Sequence, residues 1–291
     1  MRDTPIRDVL ENVETAGFVL SSEQRAALAS SMVTLVKENK MKSCQFWGRI
    51  VGTSKDYYIV QLLGDDMLND RKSFVSLDCM TWAQLPTVHP VIAASAKLIR
   101  KRFTGNMGNE FVVTEPGPSK DEAPVDLPEE AVAMRQIDAQ DGGNTIITTT
   151  IKEEQRIAAV VSVIDNECSI VPYGAYNKLP DGTIGPVSTW GGLTFEDAGK
   201  LASYKHFRSP TKAIPPLERA KLNKTLDFWD NLTDDVPHST WTLTSEAAAK
   251  SVLIKSWMWP GFSFFHVPET PSYAAIYNGT GVRNSDIFFM F

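Results

Sequence analysis

Cysteine is scarce in this 291-residue chain. The three present, Cys44, Cys79 and Cys168, lie far apart and form no C-x-x-C pair for zinc or redox work. Buried, reduced thiols are the expectation. Histidine is nearly as sparse. His89, His206, His238 and His266 never fall three to five residues apart, so helical and hairpin metal pairs are missing and no metal site is expected. Long apolar runs are absent too: the longest, Ile157 to Ile164, is too short to cross a bilayer. Met1-Arg2-Asp3 opens the chain without the apolar stretch of a secretory leader. A soluble intracellular protein with no membrane partner is expected.

Positive charge is in deficit, with 29 Lys and Arg against 35 Asp and Glu and a net charge of −6. No basic stripe exists to neutralise phosphates, which argues against a nucleic-acid partner. The nearest approach is Lys97, Arg100, Lys101 and Arg102. These sit at a predicted helix C-terminus, where cations complement the helix dipole.

Catalytic signatures are lacking as well. There is no G-x-S-x-G elbow, no phosphate-binding loop and no G-x-G-x-x-G after a strand. Gly105-Asn106-Met107-Gly108 and Gly279-Thr280-Gly281 have no following helix to complete an anion site. The acid pairs Asp65-Asp66, Glu129-Glu130, Glu153-Glu154 and Asp234-Asp235 fall in turns, loops or a helix start. Paired carboxylates do acid–base work only when they face each other, and sequence neighbours do not. No enzyme and no cofactor is expected. The competing reading, an enzyme or ligand-binding domain, requires a deep pocket with converging polar groups around His206 and Arg208.

What is present is an ordinary globular composition, 43% apolar and 22% charged. A chain of this length buries roughly 75% of its unfolded surface and folds without staples. Thr4-Pro5 opens a first helix with Ile6, Val9, Leu10 and Val13 on one stripe. Ser21-x-x-Gln24 reads as the capping box of a second, carrying Leu28, Met32, Leu35 and Val36 to about Lys37. An N-terminal αα-hairpin follows. The texture then alternates with period two through Cys44–Val51, Tyr57–Leu63 and Lys72–Cys79, an antiparallel meander. Gly48 marks a bulge or a close backbone approach.

Pro90 starts a helix to about Arg102, with Val91, Ala94 and Leu98 on one side. Residues 115–143, rich in Pro, Gly, Asp and Glu, predict a solvated mobile loop. Lys152-Glu153-Glu154 then opens a helix with Ile157, Val160, Val161 and Ile164 at helical spacing. A short strand at Ser169–Pro172, a short helix after Thr194 and a helical piece near Leu217–Leu222 come next. Strands at Trp241–Leu243, Val252–Ile254, Phe262–Val267 and Tyr273–Tyr277 close a second meander. The expected fold class is α+β, mainly antiparallel sheet meanders with helices packed on one side and the N-terminal αα-hairpin. Residues 1–291 read as one unit carrying the acidic loop.

Aromatic residues gather in the two meanders. Trp257 and Trp259 project to the same side of a strand, and Trp47 shares its strand face with Arg49. Aromatic residues plus arginine are enriched at binding hot spots, while large aromatics equally dominate cores. The candidate interface residues are Trp47, Arg49, Tyr58, Trp257 and Trp259. Exposure discriminates the two roles.

Several segments together resemble the radial spoke head proteins of cilia and flagella, most closely the short type 9 branch. They are Phe46-Trp47-Gly48-Arg49-Ile50-x-Gly52 with Asp56-Tyr57-Tyr58-Ile59, then Ile151-Lys152-Glu153-Glu154 through Ile164-Asp165. Leu201-x-Ser203-Tyr204-x-His206-Phe207-Arg208-x-Pro210, Leu226-Asp227-Phe228, Trp259-Pro260-Gly261 and Tyr277-x-Gly279-Thr280-Gly281 complete the set. The resemblance runs almost end to end. It implies a non-enzymatic structural subunit in the axoneme of a cilium or flagellum, helping to relay signals that regulate dynein-driven bending. It implies other spoke head subunits as partners, above all the larger type 4 and type 6 proteins, with central pair projections as further contacts.

Overall fold

The computed structural model describes residues 17, 19–116, 135–139, 145–210, 226, 229–246 and 251–289. In chain order they form α1 (Ser22–Asn39), β1 (Ser43–Ile50), β2 (Tyr57–Leu63), β3 (Arg71–Ser76), β4 (Ala83–Gln84) and α2 (Pro90–Lys97). Next come β5 (Glu110–Pro116), β6 (Arg135–Ala139), β7 (Thr145–Lys152) and α3 (Glu153–Cys168). The short elements β8 (Ile170–Pro172), β9 (Tyr176–Lys178), β10 (Ile184–Pro186), α4 (Phe195–Ala198) and β11 (Tyr204–His206) follow. The last strands are β12 (Trp241–Glu246), β13 (Ser251–Ser256), β14 (Phe262–His266) and β15 (Tyr273–Gly279).

The two expected meanders are one sheet. Its eight strands run in the order β12-β13-β14-β15-β1-β2-β3-β4. Every pair is antiparallel except β1 with β15, which join in parallel with Gly48 opposite Tyr277. Gly48 makes that join possible. Its φ is +141°, and a Cβ there would stand 2.0 Å from the Tyr277 carbonyl oxygen. The register of β1 on β2 also shifts between Phe46 and Gly48, the expected bulge.

Both faces of the sheet are covered, because both faces are apolar. Along β2 alternate residues divide: Tyr57 and Ile59 belong to one core, Tyr58, Val60 and Leu62 to the other. That is the period-two pleat of a strand buried on both sides. α1 lays Leu28, Met32 and Leu35 on the second face, and each such side chain contributes roughly 1.5–3 kcal/mol on burial. α3 lays Ile157, Val160, Val161 and Ile164 on the first. The expectation of helices on one side is therefore corrected. A helix covers each face, since all seven β2 residues are buried and neither face can be left to water.

The Ser21–Gln24 capping box is present at α1. The helix expected before it lies outside the described residues, as does the piece near Leu217–Leu222. Within the span expected as a solvated loop, Arg135–Ala139 pairs with β7 as the edge of a three-stranded sheet ordered β5-β7-β6. The isoleucines and threonines of β7 supply a strand for it to pair with, a partner that its own composition could not announce. α2 ends at Lys97 instead of about Arg102 and buries Ile92, Ser95 and Ala96 rather than the expected Val91, Ala94 and Leu98. Two turns of helix need only that narrow face to pack on Val113, Ile151 and Ala159.

Candidate interaction surface

The five candidate residues divide by exposure. Trp47 is 7% exposed, Tyr58 5% and Trp259 4%, whereas Trp257 is 46% exposed. Trp47, Tyr58 and Trp259 thus belong to this chain's own core, and the structure gives each a partner there. The Trp47 indole Nε1 donates to Asp165 Oδ1 at 2.6 Å, and its ring packs 5.2 Å from Tyr277. Trp259 Nε1 donates to Glu167 Oε2 at 2.8 Å, and Arg283 Nε donates to the same oxygen at 3.1 Å. Both carboxylates lie in the last turn of α3, where the helix dipole disfavours negative charge. Indole and guanidinium donors offset that cost.

Gln61 Nε2 donates to the second Asp165 oxygen at 2.5 Å. The surroundings strip water from Asp165 and raise its pKa above the ordinary carboxylate value, while Arg71, Trp47 and Gln61 pull it down.

Tyr58 faces α1, where its hydroxyl accepts from Gln24 Nε2 at 2.8 Å. Burial raises its pKa, with Arg49 opposing. Arg49 itself is half-buried and spans three strands. Its Nε donates to Asn278 Oδ1 at 3.0 Å on β15, and its guanidinium pairs with Asp56 at 3.4 Å beside β2. A clamp of this kind holds the parallel junction. The tryptophans of the Trp257-Met258-Trp259 run do not share a strand face. β13 ends at Ser256, so the run is a turn, and it points Trp257 out and Trp259 in.

Trp257 remains as the exposed aromatic. Its indole donates to Thr242 Oγ1, and its backbone N–H to the Thr240 carbonyl at 2.8 Å. It stands beside β12, one of the two edge strands of the eight. β12 has the sequence Trp-Thr-Leu-Thr-Ser-Glu, rich in strand formers and free of the lysine and proline that commonly protect an edge. Among the described residues no strand pairs with its outer side. Position in the sheet order, which no local pattern encodes, is why sequence reasoning passed over β12.

Other signature residues are scaffolding. Glu153, fully buried at the start of α3, accepts from Tyr57 Oη at 2.8 Å, Thr104 N and Oγ1 at 2.6 Å each, and Gly105 N at 3.2 Å. With Asn109 Nδ2, which donates at 3.5 Å, these groups tie the 104–109 segment and β2 to the start of α3. His206 is fully enclosed, with Nε2 2.8 Å from Asp235, which also accepts from Trp241 Nε1 at 2.8 Å. Arg208 donates to the Asn166 carbonyl at 2.9 Å and pairs with Asp230 at 3.4 Å. Asp235 thus joins His206 to Trp241 inside the protein, while His206 Nδ1 and Arg208 Nε have no hydrogen-bond partner. Among the described residues no group of three or more His, Cys, Asp or Glu is placed to hold a metal ion, and no helix is long and apolar enough to cross a membrane.

Known proteins bear on these features. A family model described as radial spokehead-like protein matches residues 2–73. The radial spoke head protein 9 homolog of Danio rerio is 38% identical over 279 residues, covering 94% of each chain. That of Homo sapiens is 36% identical over 283 residues, covering 97% of this chain and 96% of its own. The radial spoke head protein 6 homolog A of Homo sapiens is 30% identical over 63 residues, 21% of this chain and 9% of that one. With identity of this degree sustained across nearly the whole length, the chain belongs to the radial spoke head protein 9 family.

Proposed function

We propose that this chain is a non-catalytic structural subunit of the axonemal radial spoke head. In this reading it assembles with other spoke head subunits, the larger type 4 and type 6 proteins first, and supports regulation of ciliary or flagellar motility through those contacts. The observation that carries the reading is similarity to radial spoke head protein 9 homologs over 94–97% of the chain. The internal chemistry agrees with it. Glu153, Asp165 and His206 each hydrogen-bond across elements of the fold.

Contact in this reading runs through Trp257 and the outer edge of β12. An exposed indole offers a large rigid surface at low entropic cost, and an unpaired strand edge offers backbone donors and acceptors. Trp47, Arg49, Tyr58 and Trp259 serve the interface indirectly, by fixing the sheet whose edge is presented.

The test is a tagged full-length chain recovered from salt-extracted axonemes, with co-purifying chains identified by mass. Recovery with larger spoke head subunits, reduced about tenfold or more by Trp257→Ala, is the expected result. A chain released by detergent alone, without such companions, would overturn the assignment.

A further inference from the structure

Arg156 is buried to 1% exposure and has no carboxylate partner within ion-pair distance among the described residues. Its Nη2 donates to the carbonyls of Ile99 at 3.1 Å and Lys101 at 2.5 Å. The guanidinium carbon sits 4.0 Å from the centre of the Phe103 ring and 5.2 Å from that of Phe111. Nε and Nη1 have no hydrogen-bond acceptor. Glu153, one turn earlier, favours the charge, but its oxygens are already taken by Tyr57, Thr104 and Gly105. A cation left in this state is costly, and its field is poorly screened.

Arg156 lines a groove of about 440 Å³ between α2, α3 and the segment after β15. The rim carries Lys97 and Arg100, both exposed, and Arg283 across the gap. Lys97 lies in the last turn of α2, where the helix dipole accounts for it, but Arg100 lies beyond the helix end. The acids on the groove are Glu167, taken by Trp259 and Arg283, and Asp286. Four cations face two acids on a chain whose net charge is −6. The floor is apolar, with Ala96, Ala159, Val163 and Trp259. The groove also adjoins the exposed tryptophan: Asn284, on its wall, donates to the Trp257 carbonyl at 3.2 Å.

We propose that this groove receives an acidic peptide segment of a partner chain, its carboxylates at the Lys97–Arg100–Arg283 rim and small apolar side chains on the floor. The proposal rests on the reading of this chain as an assembly subunit and names the chemistry of one contact. The charge is complementary, the buried Arg156 has no carboxylate within ion-pair distance among the described residues, and Asn284 links the groove wall to Trp257.

A photo-crosslinking residue in place of the exposed Ser285, in the full chain incorporated into axonemes, tests it. Mass spectrometry of the attached peptide is expected to show a segment of another chain with Asp and Glu in excess. In a second variant that also carries Lys97→Glu and Arg100→Glu, crosslink yield is expected to fall about tenfold. Both residues are exposed at a helix end, so the melting temperature is expected to move by no more than about 2 °C. Higher salt is expected to lower the yield as well. A neutral or basic segment, the 117–134 stretch of this same chain, a second copy of it, no crosslink, or a yield indifferent to charge reversal would each overturn the proposal. If the chain incorporates with larger spoke head subunits while the groove crosslinks to none of them, this inference fails and the assembly reading stands. If the chain does not incorporate, both fail.

Discussion

The Trp47 indole hydrogen-bonds Asp165 at 2.6 Å across 118 residues of sequence, tying the strand at the centre of the sheet to the end of the helix that covers it. Replacement by Phe keeps an aromatic ring but removes the donor together with the pyrrole half of the indole. A buried carboxyl then loses a hydrogen-bond donor and the core loses packing, at a cost of about 1–3 kcal/mol or more. Urea unfolding of Trp47→Phe is expected to show that loss with an unchanged m-value. A midpoint within error of the parent would mean that the bond contributes nothing.

Gly48 is expected to tolerate no side chain. A Cβ 2.0 Å from the Tyr277 carbonyl oxygen forces β1 and β15 apart, and the φ of +141° strains any other residue. Gly48→Ala should lose about 3 kcal/mol or more. Gly191, where a Cβ meets nothing within 4 Å, is the control: Gly191→Ala should stay within about 0.5 kcal/mol. Equal melting temperatures for the two variants would contradict the parallel junction.

His266 gives the protein an acid-sensitive component. It is fully buried and neutral, one ring nitrogen 3.1 Å from the Ser272 carbonyl and the other accepting from Leu193 N–H at 3.3 Å. Burial lowers its pKa to about 4 from the ordinary 6.5. The unfolded chain therefore binds the extra proton first. Stability from this group is present in full above pH 6.5 and is lost as pH falls toward 4, by about 3 kcal/mol in total. His266→Gln should flatten stability against pH across that window. An unchanged slope would show that other groups set it.

The cysteines should be inert in the folded state. Burial pushes the thiols of Cys44 and Cys79 up to about 12 and that of Cys168 higher still. At pH 8 a disulfide reagent is expected to react roughly a thousandfold more slowly with native protein than with urea-unfolded protein. One rapidly reacting thiol in the native state would place a cysteine in a different environment.

Trp257 and Trp259, two residues apart, should behave oppositely. Trp259→Ala opens the core and is expected to cost about 3–5 kcal/mol. Trp257→Ala removes an exposed ring and should cost no more than about 1 kcal/mol, while weakening association. Differential scanning calorimetry beside co-purification separates the two, and a large stability loss at Trp257 would move it into the core class.

Local chemistry was legible in the chain. The Ser21–Gln24 capping box, the buried stripe of α3 from Ile157 to Ile164 and the β2 boundaries at Tyr57 and Leu63 all stand where periodicity and capping put them. Those signals reside in residues one to four positions apart, where backbone geometry repeats.

Tertiary structure alone decided the rest. That two meanders form one sheet depends on Gly48 meeting Tyr277, a contact between distant segments that no periodicity encodes. Which face of a strand is covered, and by which helix, likewise depends on what arrives from elsewhere in the chain. For the same reason Trp47, Tyr58 and Trp259, apt for an interface by composition, turned inward, and Trp257 turned out. Residue type sets what a side chain can bind, while burial, decided by the whole fold, sets whether a partner can reach it.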